Sequence, residues 1–165
     1  MKNIVLIGIM GCGKTTVGKI LSKKLNRKFV DLDREIEKNT NMKISDIFDT
    51  YGEDYFRKIE EKTAKEFSDT SDYIISTGGG IVTKENSINF LKRNGTVIFI
   101  KRDLNEIIKC SLKGRPLLKE NPNAIFEIMK KRKDLYEKYS DFSIESDISP
   151  QITAEKIIEK IHEEG

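Results

Sequence analysis

Residues 8–15 read GIMGCGKT and match the pattern G-x-x-x-x-G-K-[ST] at every fixed position. An apolar run, residues 3–7, precedes this stretch, and a segment with helical periodicity, residues 14–25, follows it. A glycine-rich turn between a buried strand and a helix directs backbone N–H groups at phosphate oxygens. In such a loop Lys14 reaches the terminal phosphates and the Thr15 hydroxyl binds Mg²⁺. The sequence therefore predicts a phosphate-binding loop, and a turn without a ligand is the weaker interpretation.

Outside this loop, apolar runs typical of buried strands alternate with segments of helical periodicity. Further strands are expected at residues 29–31, 73–76, 96–101 and 142–145. Helices are expected at residues 34–39, 45–49, 53–67, 83–93, 124–139 and 153–162, with another after Asp103. Ser45 is a candidate N-cap, and Asp103 with Glu106 resembles a capping box. This alternation predicts an α/β fold with a parallel sheet between helices, in one domain spanning residues 1–165.

The composition argues against several classes of protein. The 165 residues include 30 Lys+Arg and 27 Asp+Glu, and charges of both signs alternate along the chain, so no nucleic-acid partner is expected. Residues 4–10 form the longest apolar run near the start, far short of the ~20 residues that a membrane span needs. Two distant cysteines and one histidine, His162, predict neither a disulfide framework nor a zinc site. We expect a cytoplasmic protein without a membrane partner, in which His162 is a surface residue.

Two other nucleotide-binding classes fit the sequence less well. Residues 11–16 come within one residue of the dinucleotide pattern G-x-G-x-x-G, and Asp31 and Asp33 lie where a ribose-binding acid is expected. Thr16 replaces the third glycine of that pattern, however, which argues against hydride transfer. Residues 49–52 (DTYG) spell the D-x-x-G of switch GTPases but lie in a helical stretch, and no N-K-x-D occurs.

Two carboxylates follow the second predicted strand. Asp31 and Asp33 lie at the carboxyl end of that strand, where open α/β sheets bind their ligands. Alternating along an extended segment, one would face Mg²⁺ and the other an acceptor hydroxyl. Capping of the next helix by these acids is the alternative interpretation.

An arginine and a glutamate lie on one face of a predicted helix. Arg57 and Glu60 are spaced i, i+3, so the glutamate could hold the guanidinium rigid for a substrate carboxylate. Taken alone, a surface ion pair is the preferred interpretation. Residues 78–80 are three glycines after another strand, and they indicate either close approach by a small molecule or a tight turn.

Two further arginines are candidates for charge compensation. Arg115 lies in a loop bounded by Gly114 and Pro122, and an arginine over the phosphates would stabilise the charge that develops during phosphoryl transfer. Arg132 and Tyr136 are one helical turn apart and offer a second guanidinium with an aromatic neighbour. An ordinary solvated helix face would explain this pair equally well.

Taken together and in this order, these motifs resemble the shikimate kinase family, over residues 8 to 136. The resemblance implies a P-loop fold like that of nucleoside-monophosphate kinases, a three-layer structure with a five-stranded parallel sheet of order 2-3-1-4-5. It also implies transfer of the ATP γ-phosphoryl group to the 3-hydroxyl of shikimate, which gives shikimate 3-phosphate and ADP for aromatic amino-acid biosynthesis. The expected protein is a monomer with an acceptor-binding region at about residues 33–61 and a lid at about 110–123.

The resemblance also implies roles for individual residues. The implied ATP-binding residues are Gly11, Cys12, Gly13, Lys14, Thr15, Thr16, Arg115 and Pro150. The implied shikimate-binding residues are Asp33, Arg57, Glu60, Gly78, Gly79, Gly80 and Arg132. Mg²⁺ would bind Thr15 and, through water, Asp31. Lys14, Asp33 and Arg115 would be catalytic, with Asp33 orienting and deprotonating the attacking hydroxyl.

The sequence departs from the family pattern at two places. Lys109 and Cys110 stand where many members carry an arginine that stacks on adenine, and the lid is one or two residues short. Cys12 replaces a common serine in the phosphate loop, and a thiol at a helix N-terminus ionises readily, so we expect Cys12 to be unusually reactive. A gluconate or nucleotide kinase and a catalytically silent nucleotide-binding module are the alternatives. The paired arginines argue against the first, and the intact Lys14, Asp33 and Arg115 argue against the second.

Overall fold

The computed structural model describes residues 1–111, 121–146 and 149–165. Its sheet contains five parallel strands in the order β2-β3-β1-β4-β5, which confirms the expected topology. The strands are β1 (Asn3–Ile7), β2 (Lys28–Asp31), β3 (Tyr73–Ser76), β4 (Gly95–Lys101) and β5 (Phe142–Glu145).

The central strand is buried along its whole length. Every residue of β1 is buried, and Val5 pairs with Ile75 of β3 and Val97 of β4. A strand covered on both faces has no polar alternation, which is why consecutive apolar residues predicted it correctly. β4 extends this core with four consecutive buried residues, Val97 to Ile100.

Helices flank the sheet. Those of the first half are α1 (Lys14–Leu25), α2 (Leu32–Thr40), α3 (Ile44–Tyr51), α4 (Glu53–Ser68) and α5 (Glu85–Arg93), the last preceded by a 3₁₀ turn at Ile81–Thr83. The second half contributes α6 (Leu104–Ser111), α7 (Ala124–Tyr139) and α8 (Pro150–Glu164). Within the described ranges, none of these helices is long and apolar enough to span a membrane.

Helix termini account for most differences from the sequence-based boundaries. The prediction that Ser45 caps α3 is wrong, because α3 begins at Ile44 after the cap residue Lys43. The Ile44 N–H donates instead to a side-chain oxygen of Glu37, 3.1 Å away in α2. α8 begins at Pro150 and not at residue 153, since proline tolerates the first helical position, where no N–H partner is needed.

The cap of α6 is only half of the expected capping box. Asp103 accepts hydrogen bonds from the backbone N–H groups of Asn105 and Glu106, as predicted. The Glu106 carboxylate pairs with Lys109 at 3.5 Å.

Helices α2 to α4 form an insertion between β2 and β3, and this insertion has its own small hydrophobic core. Ile36, Ile47 and Phe56 are buried there, and the rings of Phe48 and Phe56 lie 4.8 Å apart. This core fixes the positions of α2 and α4, which carry the side chains predicted to bind the acceptor.

Candidate active site

Three glycines shape the loop between β1 and α1. Gly8, Gly11 and Gly13 have φ angles of 148°, 81° and 100°, a region that side chains disfavour. A Cβ on Gly8 would also lie 2.7 Å from the Ile100 carbonyl oxygen. The loop therefore closes tightly over the end of the sheet and leads into the N-terminus of α1, as the phosphate-loop pattern requires.

Lys14 is buried within this loop. Its Nζ donates to the carbonyl oxygens of Gly8 and Ile9 at 2.6 and 3.0 Å, and lies 3.7 Å from the Cys12 sulfur. Cys12 is itself fully buried, out of reach of a thiol reagent. The structure thus gives no support to the expectation of an unusually reactive Cys12.

Asp31 caps α2, which was the alternative interpretation of this residue, and it also contacts the phosphate loop. Its Oδ1 accepts from the backbone N–H groups of Asp33 and Arg34 and caps α2. Its Oδ2 accepts from the Thr15 hydroxyl at 3.0 Å. A carboxylate and a hydroxyl thereby meet beside the phosphate loop.

Asp33 lies in the first turn of α2 and not on an extended segment, because the helix begins at Leu32. Burial, aided by the negative charge of Asp31, raises the pKa of Asp33 to about 6, against the opposing charges of Lys14 and Arg57. The side chain reaches the glycines after β3, since a Cβ on Gly78 would lie 2.7 Å from its Oδ1.

Arg57 and Glu60 form a buried ion pair. Arg57 Nη1 donates to Glu60 Oε1 at 2.8 Å, and the residues are 6% and 1% exposed. The interpretation as a surface pair is therefore wrong, because α4 turns this face toward the end of the sheet. Burial raises the pKa of Glu60 to about 7, although the Arg57 charge opposes the shift. A Cβ on Gly80 would collide with the Arg57 guanidinium.

Tyr136 of α7 contacts the glycine segment, residues 78–80. Its hydroxyl donates to the Gly79 carbonyl oxygen at 2.5 Å, and its ring stacks on Phe99 at 5.0 Å. Tyr136 is fully buried, which raises its pKa to about 12 and excludes a solvated helix face at this position. A Cβ on Gly79 would lie 3.3 Å from Met10 N and 3.6 Å from Arg132 Nη1, so Gly79 separates Arg132 from the phosphate loop.

A cavity of about 900 Å³ joins these features. The sequence-predicted residues that line it are Gly11, Gly13, Lys14, Thr15, Thr16, Asp31, Asp33, Gly78 and Gly79. Glu60 and Arg132 lie against the glycines of this lining, and Arg57 lies between Glu60 and Gly80 as a contact of both. The structure thus brings the predicted phosphate and acceptor residues together at one end of the sheet.

Three predicted nucleotide-binding residues are not placed in this cavity. Cys12 is fully buried in the loop and is not among the described lining residues. Pro150 begins α8 and is not among the described lining residues. Arg115, with most of the expected lid, lies outside the described residues.

The cavity lining also includes residues that were not among the predicted binding residues: Met10, Lys19, Arg34, Thr77, Arg102 and Cys110. Arg102 directly follows β4, so the rule that drew attention to Asp31 after β2 could also have identified it. His162 is exposed, as predicted.

Comparison with known proteins places this geometry in a family. The family model described as shikimate kinase matches residues 10–162. A shikimate kinase from Thermodesulfovibrio yellowstonii is 48% identical over 97% of this chain and 95% of the relative, and one from Sulfurihydrogenibium sp. is 42% identical over 98% of both. The solved structure of the shikimate kinase from Acinetobacter baumannii in complex with shikimate superposes with a TM-score of 0.93 at 34% identity, covering 99% of this chain and 94% of the other.

Proposed function

The chain belongs to the shikimate kinase family, and from that membership and its own geometry we propose how it performs the family's reaction. It is a phosphotransferase that uses ATP to phosphorylate an alcohol group of shikimate, in the pathway to chorismate and the aromatic amino acids. We assign the 3-hydroxyl as the acceptor, so that the products are shikimate 3-phosphate and ADP. One observation carries the assignment of roles: the buried Arg57–Glu60 pair, Asp33 and Gly79 meet beside the phosphate loop.

ATP phosphates bind the turn between β1 and α1 in this proposal. The backbone N–H groups in the first turn of α1 would donate to the β-phosphate. The Cys12 N–H donates instead within the loop, to the Ile9 carbonyl oxygen at 3.2 Å. Lys14 now donates to the Gly8 and Ile9 carbonyls, and a phosphate oxygen would replace these partners. Its ammonium group then offsets the negative charge of the transferring phosphoryl group.

The shikimate carboxylate binds the two guanidinium groups. Glu60 holds Arg57 in one orientation, and Arg132 lies on the far side of Gly79. Two fixed cations on either side of a glycine segment suit a small anionic acceptor, because the absent side chains leave room for a ring. Gly78, Gly79 and Gly80 form the floor of this subsite.

Asp33 receives the hydrogen bond of the attacking hydroxyl. With a pKa of about 6, its carboxylate is mostly ionised at neutral pH and can accept the hydroxyl proton as the phosphoryl group is transferred. From its place between the phosphate loop and Gly78, Asp33 would hold the acceptor oxygen in line with the terminal phosphate.

Thr15 and Asp31 fit a Mg²⁺ ion. Their hydroxyl and carboxylate oxygens lie 3.0 Å apart, and oxygen ligands of this kind suit Mg²⁺ when phosphates and water complete the shell. Among the described residues no group of three or more His, Cys, Asp or Glu forms a metal site, so this pair is the candidate. Thr15 would hold the ion directly and Asp31 through water, and the ion would supply positive charge against the phosphates.

The remaining assignments follow the sequence analysis. We propose residues 33–61 as the acceptor-binding region and residues 110–123 as the lid, with Arg115 acting on the phosphates. Pro150 borders the adenine. We further propose that the protein acts in the cytoplasm as a monomer, without a nucleic-acid partner.

ADP release with Mg²⁺-ATP and a panel of acceptors tests this function. We expect turnover with shikimate and at least about 100-fold lower kcat/KM with gluconate and nucleoside monophosphates, which lack the carboxylate-bearing ring that the arginines hold. Quinate, which has such a ring, tests how closely the subsite fits. Substantial turnover with another acceptor and none with shikimate would overturn the assignment.

A further inference from the structure

Arg102 lies on the opposite side of the phosphate loop from the acceptor residues. The strand order places β2 and β3 on one side of β1 and β4 on the other. Asp33 and Gly79 follow β2 and β3, whereas Arg102 follows β4 and lines the same cavity. Adjacent strands are about 4.8 Å apart, so the strands that precede Asp33 and Arg102 are separated by roughly 14 Å.

The Arg102 guanidinium is hydrogen-bonded to the phosphate loop. Its Nη1 donates to the Gly11 carbonyl oxygen at 3.1 Å, and its Nη2 lies 3.3 Å from the Cys110 sulfur. These contacts occupy two of the five N–H donors of a guanidinium, and the side chain is only half-buried. Within the described ranges no carboxylate forms an ion pair with it. A fixed, unneutralised cation therefore borders the cavity beyond the phosphate loop.

We propose that Arg102 binds the nucleotide, holding the loop through Gly11 and placing its guanidinium plane against the nucleoside. The inference rests on the proposed function, because in-line transfer directs the terminal phosphate toward Asp33 and so directs the nucleoside away from it. The described wall on that side is Arg102 with Cys110. A planar guanidinium stacks on aromatic rings, and a purine base offers such a face.

Titration of ADP and of pyrophosphate into the Mg²⁺-containing protein, without shikimate, tests this role. Arg102→Ala should weaken ADP binding by about tenfold or more, and pyrophosphate binding by clearly less, because only ADP carries the base. Arg102→Lys keeps the charge without the planar group and should recover only part of the loss. Arg93→Ala is the matched control, since Arg93 is exposed and packs on Phe90 of α5.

Unchanged ADP affinity in Arg102→Ala would overturn the inference. Equal losses for ADP and pyrophosphate would also overturn it, because they would reduce Arg102 to a support for the loop. Thermal unfolding checks that the variants fold, and Arg102→Lys carries the comparison if the alanine variant does not. Failure of the unaltered protein to phosphorylate shikimate would contradict the proposed function and leave this binding result standing.

Discussion

At the scale of single residues, Asp33 combines burial with nearby charges of both signs. Burial and Asp31 raise its pKa, while Lys14 and Arg57 limit the rise, so that the value of about 6 lies just below neutral pH. A carboxylate in this range is ionised under ordinary conditions yet basic enough to take a proton from a hydroxyl as that bond weakens. Its proposed role depends on this balance.

Replacement of Asp33 by asparagine should lower kcat and spare ATP binding. We expect kcat to fall by about 10²-fold or more, the usual size of a general-base contribution, with the KM for ATP within about twofold. The unaltered enzyme should lose kcat/KM as the pH falls through about 6, and Asp33→Asn should lack this limb. Steady-state kinetics between pH 5 and pH 8 provide both readings. Equal losses in kcat and ATP affinity would contradict the role.

The same substitution should stabilise the ligand-free protein. The folded pKa of Asp33 is raised from 3.8 to about 6, so the folded state binds the proton more tightly than the unfolded state, and stability falls as the pH rises between these values. Asparagine cannot ionise, so the folded state does not have to bury a charge at this position. The free energy of unfolding of Asp33→Asn should therefore exceed that of the unaltered protein by on the order of 1–3 kcal/mol at pH 8 and by little at pH 4. Denaturant unfolding at the two pH values measures the difference. A stability gain equal at both pH values would show that the charge is not its cause.

The sequence predicted the chemical roles of the site residues better than it predicted how deeply their side chains are buried. Lys14, Thr15 and Asp33 were identified by pattern or by position after a strand, and they line the cavity. The burial of Arg57, Glu60 and Tyr136 was not predicted, because a charged or polar residue on a helix gives no sign of which face the tertiary fold covers. Arg102 was missed for a similar reason, since one arginine after a strand is common in a chain with 30 basic residues.

At the scale of elements, α4 and the glycine segment after β3 fit together closely. Arg57 fills the space beside Gly80, and Glu60 shares the space beside Gly78 with Asp33. The orientation of the acceptor arginine is therefore set by a segment of another element as well as by its own helix.

Gly80→Ala should disturb the acceptor site alone. Gly80 has a φ of −95° and a ψ of 6°, a negative-φ conformation that is allowed for alanine, so the main effect of the substitution comes from collision of the new Cβ with the Arg57 guanidinium. We expect the KM for shikimate to rise by about tenfold or more and the KM for ATP to change by less than about twofold. Arg57→Ala should have the same pattern.

The double variant is the control for this prediction. If Gly80→Ala acts through Arg57, adding it to Arg57→Ala should cost little more, because the colliding group is already gone. Fully additive losses, or a rise in the KM for ATP as large as that for shikimate, would contradict the explanation.

Elements with strong periodicity were predicted almost to the residue, and their termini were not. The bounds of α1, α7, β1 and β5 agree with the sequence-based ranges. The start of α3 was misplaced because its cap comes from Glu37 of another helix, a contact that local sequence cannot reveal. The start of α8 was misplaced because the buried face of this helix begins at Thr153, three residues after Pro150.

At the scale of the whole molecule, the sheet order brings distant segments to one cavity. β2, β3, β1 and β4 are parallel and lie side by side in that order, so the residues that follow them meet at one end of the sheet. The α/β class followed from the alternation of elements alone. The order 2-3-1-4-5 followed only from the family resemblance, since periodicity does not state which strands pair.

The most direct test of the central claim is a crystal structure of the protein with ADP, Mg²⁺ and shikimate bound. We predict that the shikimate carboxylate lies within about 3 Å of the Arg57 and Arg132 guanidinium nitrogens, with a ring hydroxyl at the same distance from Asp33 and facing the phosphates on the loop. Shikimate bound elsewhere, or with its carboxylate away from both arginines, would contradict the account.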